Sequence, residues 1–133
     1  MHYLIDTCTC SFAMKSVHGV AARMRSTPLD AMAISVINLA EAWAGSRKSS
    51  KPALWRGRWQ MLINGWRILP FDQECAEVYA QIRHDLEKHG TMIGIHDCQI
   101  AATALVHRLT VVTDNVTEFK RVPGLKVENW VKR

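Results

Sequence analysis

The chain opens on Tyr3-Leu4-Ile5-Asp6-Thr7, an apolar run stopped by a carboxylate. So short a run, bounded by Thr7 and Cys8, predicts a buried strand rather than a helix, with Asp6 at its carboxyl end. Thr9 and Ser11 then suit the cap of a short helix over Phe12 to Lys15, and a second helix runs from about Val17 to Arg25 before Pro28 closes it. Ala31 to Ile37 predicts a second strand, and Asn38-Leu39-Ala40-Glu41 has the spacing of a capping box that opens a helix to about Arg47. Pro52 fits the first turn of the next helix, on which Trp55, Trp59, Leu62, Ile63 and Trp66 share one apolar face. Three indoles on one face serve either the core or a partner surface, since aromatic residues are enriched at interfaces.

Arg67 to Phe71 predicts a short strand ended by Pro70, which either lies at a sheet edge or stops there. Asp72 opens a long helix, Glu74 to Lys88, with Gly90 as its C′ residue. Gly94-Ile95-His96-Asp97 enters another helix reaching about His107; Thr110 to Thr113 is a strand, Asn115 to Lys120 a short helix and Lys126 to Trp130 a last strand. Helices between successive strands imply parallel pairing through right-handed crossovers. The expected fold is therefore α/β: a three-layer α/β/α sandwich on a mostly parallel central sheet of about five strands. A length of 133 residues predicts a single domain over 1–133.

With 48% hydrophobic residues the chain should bury roughly two thirds of its unfolded surface, so neither disulfides nor a structural metal are needed for folding. Its four cysteines, Cys8, Cys10, Cys75 and Cys98, form no zinc-spaced pairs and are expected to be reduced. No run of ~18 apolar residues predicts a membrane span. With an Asp already at position 6 there is no signal-peptide pattern, so a cytoplasmic location is expected. The net charge of +5, with Arg47, Lys48, Lys51, Arg56 and Arg58 concentrated in one stretch, suits a polyanionic partner, nucleic acid first.

Against that basic background five acids follow strand ends or open helices: Asp6, Glu41, Asp97, Asp114 and Glu118. Each has an innocent role available, Glu41 in the capping box and Asp97 at a helix dipole. Yet Asp97 shares a helical face with Ile100, Ala101, Ala104 and Leu105, and Glu41 shares one with Ile37, Ala44 and Gly45, which aims both inward. Asp114 and Glu118, four apart, fall on one face of the short helix. Carboxylates gathered within ~4 Å repel by roughly 4 kcal/mol per pair at an effective dielectric of about 20. Such a cluster either holds raised pKa values or takes up a cation. All-oxygen donors select Mg²⁺ or Mn²⁺, and such sites carry out phosphoryl chemistry.

The segments Leu4-Ile5-Asp6-Thr7, Ser35-Val36-Ile37-Asn38-Leu39-Ala40-Glu41, Asp97-Cys98-Gln99-Ile100-Ala101-Ala102-Thr103-Ala104 and Val112-Thr113-Asp114-Asn115-Val116-Thr117-Glu118-Phe119 resemble, in order and spacing, the four acidic motifs of PIN-domain ribonucleases. The closer resemblance is to the VapC toxins of VapBC pairs, extended by Tyr79-x-x-x-Arg83, Val122-Pro123-Gly124-Leu125 and Asn129-Trp130. What the resemblance implies is an endoribonuclease dependent on Mg²⁺ or Mn²⁺, cutting RNA (in several relatives a tRNA), held inactive by a VapB-like antitoxin and commonly dimeric. It makes Asp6, Glu41 and Asp97 the first three metal ligands and leaves the fourth among Asp114, Asn115 and Glu118. Thr7 and Thr113 would supply hydroxyls to the acids or cap helices. RNA contacts are expected from Arg47, Lys48, Lys51 and Arg83.

One departure is Cys8, where the family usually has Asn after Asp-Thr; a thiol is the weaker donor to the first carboxylate. Two other readings stand beside this one. A PIN fold without catalysis would bind RNA or protein only. A haloacid-dehalogenase-like phosphohydrolase also starts with a strand-end Asp, but it needs a second Asp two residues on, where this chain has Cys8.

Overall fold

The computed structural model describes all residues from Met1 to Arg133. Five strands form one sheet: β1 (Tyr3–Ile5), β2 (Met32–Ser35), β3 (Arg67–Leu69), β4 (Thr110–Val112) and β5 (Val127–Glu128). They lie in the order β3-β2-β1-β4-β5, and every neighbouring pair is parallel. Around them pack α1 (Thr7–Met14), α2 (Val20–Arg25), α3 (Val36–Lys48), α4 (Pro52–Leu62), α5 (Gln73–Lys88), α6 (Ile95–His107) and α7 (Val116–Phe119). None of the helices is long and apolar enough to cross a membrane.

Alternation along the strands divides the core into two layers. Leu4, Ala33 and Val111 pack with Ile82 and Leu86 of α5, Ile100 and Ala104 of α6, and Phe119. Ile5, Ile34 and Val112 point the other way, against Cys10, Val20, Trp59, Ile63, Trp66 and Trp130. This is the three-layer arrangement expected from the strand and helix order. β1 is the middle strand, with Leu4 opposite Ala33 on one side and Val111 on the other. Its carboxyl end, and so Asp6, therefore falls at the centre of the sheet edge where ligands bind in open parallel sheets.

Several boundaries differ from the sequence-based expectation for local reasons. The first helix starts at Thr7 instead of Phe12, because Asp6 itself caps it, accepting from the Thr7 N–H at 2.8 Å. The second starts at Val20, because His18 (φ 58°) and Gly19 (φ 72°) take left-handed conformations that interrupt a helix. β2 stops at Ser35, whose hydroxyl accepts from the Asn38 N–H at 3.0 Å and caps α3. The Asn38–Glu41 capping box is therefore not formed; Asn38 lies inside the helix, fully buried. The buried stripe of α3 is Asn38, Ala42 and Ser46, so the inward face expected for Glu41 with Ala44 and Gly45 is the exposed one.

β3 is an edge strand, as its Pro70 neighbour allowed. Trp59 and Trp66 are core residues, 5% and 8% exposed, whereas Trp55 is only half-buried; the helix ends at Leu62, so Trp66 reaches the core from the turn that follows. All four cysteines are free thiols.

Because Ser35 both ends β2 and starts α3, Ser35→Ala should lower stability by about 1 kcal/mol in urea denaturation. An unchanged midpoint would mean that the helix does not depend on that hydroxyl.

Candidate active site

Asp6 is 9% exposed and has more donors than its position at a helix start requires. Besides the Thr7 N–H, its Oδ1 accepts from Asn38 Nδ2 at 3.2 Å and its Oδ2 from Thr113 Oγ1 at 2.8 Å. Thr113, fully buried at the end of β4, also accepts from the Asn115 N–H at 3.0 Å. One hydroxyl thus ties the first carboxylate to the turn that carries Asn115 and Glu118.

Two amides hold the acids apart. Asn38 Nδ2 lies 3.2 Å from Asp6, 2.7 Å from Thr7 Oγ1 and 3.0 Å from Glu41 Oε1. Asn115 Nδ2 lies 3.2 Å from Asp97 Oδ2 and 3.1 Å from Glu118 Oε2. Each amide presents hydrogens to oxygens that would otherwise face one another. Glu41 also meets the exposed ring of His96, Oε2 to Nδ1 3.6 Å. The convergence of Asp6, Glu41, Asp97 and Glu118 shows in Asp97: loss of water raises its pKa from 3.8 to about 6, with Asp6, a hydrogen bond and charge from Glu118, and Glu41 adding to the effect.

Asp114 is elsewhere. Consecutive residues leaving a strand point to opposite sides, so Thr113 faces Asp6 and Asp114 faces away. Its carboxylate forms a two-pronged pair with Arg133, Nη2 to Oδ2 2.7 Å and Nη1 to Oδ1 2.9 Å, and accepts from Asn129 Nδ2 at 3.1 Å. Arg133 accordingly holds its pKa down at about 2. α7 begins only at Val116, so Asp114 and Glu118 do not share a helical face as their spacing suggested.

The departure at Cys8 is made good locally. Its Sγ is 3.8 Å from Asp6 Oδ2, a weak contact, and burial pushes the thiol up. The strong amide donor to Asp6 comes from Asn38 instead. Sequence reasoning read Asn38 as a cap and missed this role; the signal for it was an amide three residues before an acid, just after a strand of apolar residues. Arg47, Lys48 and Lys51 are exposed on α3 and the turn to α4. Arg83 is engaged on its own helix, donating to the Tyr79 hydroxyl at 3.1 Å and pairing with Glu87 at 3.0 Å.

The donor chemistry suits a hard divalent cation: four carboxylates, two amides and two hydroxyls, with no organised sulfur or imidazole. As they stand, no three His, Cys, Asp or Glu side chains enclose a common point. The Asn38 and Asn115 amide hydrogens occupy the intervals between the carboxylates.

An acid-lined recess at the carboxyl edge of an all-parallel sheet is the class of site this fold presents, and residues 3–125 match the model of the PIN domain. The chain is 34% identical to Ribonuclease VapC2 of Rickettsia felis over 99% of this chain and 100% of that protein. It is 33% identical to the tRNA(fMet)-specific endonuclease VapC of Salmonella typhimurium over 98% of both. The crystal structure of DNA-bound VapBC from Salmonella typhimurium superposes with a TM-score of 0.91 at 34% identity, covering 98% of each chain. The chain belongs to the PIN-domain family, among the VapC ribonucleases.

Asp97 makes the site's electrostatic load measurable. Its folded pKa lies above the ordinary value, so between about pH 4 and 6 the folded chain binds a proton that the unfolded chain releases, and stability falls as pH rises through that window. In EDTA at pH 7, Asp97→Asn should be more stable than wild type by on the order of 1 kcal/mol after discounting for solvent screening, the gap closing toward pH 4. Equal stability of the two proteins at both pH values would remove the strain from Asp97.

Proposed function

We propose that the protein is a metal-dependent endoribonuclease, the toxin of a type II toxin and antitoxin pair, which cuts RNA and thereby stops translation. The observation that carries this reading is the gathering of Asp6, Glu41, Asp97 and Glu118 around two bridging amides at the sheet edge. A binding module has no use for acids that repel one another at that range. The name of the Salmonella relative supports a tRNA as the RNA, and the VapBC assembly of its solved counterpart supports a VapB-like antitoxin as partner. A second copy of this chain completes the proposed partners.

In this reading Asp6, Glu41 and Asp97 hold Mg²⁺ or Mn²⁺, with Glu118 beside them as the fourth acid. The ion would supply a nucleophilic hydroxide and charge neutralisation at the leaving oxygen. Thr113 and Asn38 fix the Asp6 carboxylate by hydrogen bonds at 2.8 and 3.2 Å, so that one ligand is positioned before substrate arrives. Asp97, whose pKa is raised to about 6 by burial and by the neighbouring acids, would be the acid most eased by a bound cation. Asn115 keeps the Asp97 and Glu118 carboxylates in register. Arg47, Lys48 and Lys51 form the basic rim proposed to contact phosphates. Arg83 stands apart from that rim on α5, with two of its five N–H donors on Tyr79 and Glu87.

Purified protein should cut single-stranded RNA when Mn²⁺ is added and leave it whole in EDTA, and Asp6→Asn should lose cleavage by at least about a hundredfold while melting like the wild type. Expression of the wild type, but not of that variant, should arrest growth. A chain that shifts RNA equally with and without EDTA and never cuts it would be a binding module. Neutralising Arg47, Lys48 and Lys51 together should lower the slope of log affinity against log salt by roughly 2 for single-stranded RNA; an unchanged slope would place the RNA on another face.

A further inference from the structure

A recess of about 260 Å³ opens beside the acids, between α1, α3 and α4, and shares Thr7 and Glu41 with them. Trp59 lines it from the core side, Lys15 and Ser11 line the α1 wall, and Trp55 on α4 contributes a half-buried indole. We propose that this recess is a nucleobase subsite, in which one unstacked base of the RNA lies against Trp55 next to the bond being cut. The proposal rests on the endoribonuclease reading and names where that site grips its substrate.

Three observations select a base over other occupants. The volume, a little below the ~300–1,000 Å³ usual for ligand pockets, leaves room for one planar ring. The position is continuous with the carboxylate cluster through Glu41, so a nucleotide whose phosphate sits at the acids has its neighbour at the mouth of the recess. The electrostatics agree: Lys15 lies in no ion pair, and the Arg58 guanidinium stands over the Trp55 ring, 4.8 Å from its centroid, adding positive charge beside the indole. Aromatic rings and guanidinium planes are the surfaces on which single-stranded RNA bases stack. The indole supplies affinity for any base, and the hydroxyl of Ser11 supplies a group able to discriminate base edges.

The test uses the full chain in EDTA and a series of short single-stranded RNAs, each with one nucleotide made abasic. At one position, loss of the base should weaken binding by wild type by roughly 5- to 150-fold, the range of single stacking contacts. Trp55→Ala should lose the same factor on intact RNA and nothing further on the abasic RNA, while Trp55→Phe should retain most of the affinity; this is a double-mutant cycle between base and ring. Independent losses that multiply would overturn the subsite. Should Trp55→Ala fail to fold, wild-type protein irradiated with RNA carrying 5-iodouridine at each position in turn gives the answer: cross-linking to Trp55 supports the proposal, and cross-links confined to other residues overturn it. An RNA that binds with this base dependence yet stays whole in Mn²⁺ would refute the nuclease reading while leaving the subsite in place. A Trp55 indifferent to RNA but shielded by a co-purifying protein would make the recess a protein-docking notch and refute the subsite alone.

Discussion

The structure depends on how Asp6 is held. A carboxylate 9% exposed at the end of the central strand is tolerable only because an N–H, an amide and a hydroxyl reach it from three different segments. These three donors come from α1, α3 and the end of β4, so the same contacts that solvate the charge also fasten the two halves of the chain across β1. Buried charges that lack such partners shift their pKa and neutralise instead. Asp97, only half-buried but with fewer donors, does that.

The pair of amides gives the site its character. Asn38 and Asn115 each separate two acids, and each sits at the start of a helix next to a strand end. An amide is neutral and leaves the cluster its negative potential, which a dication or a lysine would cancel. The basic residues Arg47, Lys48 and Lys51 stay outside, on α3 and the turn before α4, so positive and negative charge are kept on separate surfaces of one small molecule.

Much of this was legible in the sequence. The five strands and their parallel pairing follow from helices spaced between apolar runs, and the place of Asp6 at the carboxyl edge of the sheet follows from its position after the first of those runs. Two of the errors share one cause: side chains that hydrogen-bond to distant residues. Asn38 looked like a cap because its spacing to Glu41 is that of a capping box, but Ser35 had already taken that position, leaving the amide free for Asp6, 32 residues away. Asp114 looked like a ligand because it stands in the fourth motif, but its partner is Arg133, 19 residues on, and no local pattern announces that pair. Trp55, Trp59 and Trp66 form one face on a helical wheel, yet the helix stops at Leu62: Trp59 and Trp66 reach the same core, Trp66 from the following turn, and Trp55 stays half-buried.

The strand order has a consequence for how such a protein is made. β1 is synthesised before β4, yet Tyr3 pairs with Thr110 and the acids beside Asp97 include Glu118. Synthesis must therefore pass Thr110 before the central strand gains its second neighbour, and no truncated product that ends before Glu118 holds the whole set of carboxylates. Any activity of the finished chain is thus withheld from its own incomplete copies by topology alone, before any inhibitor is bound.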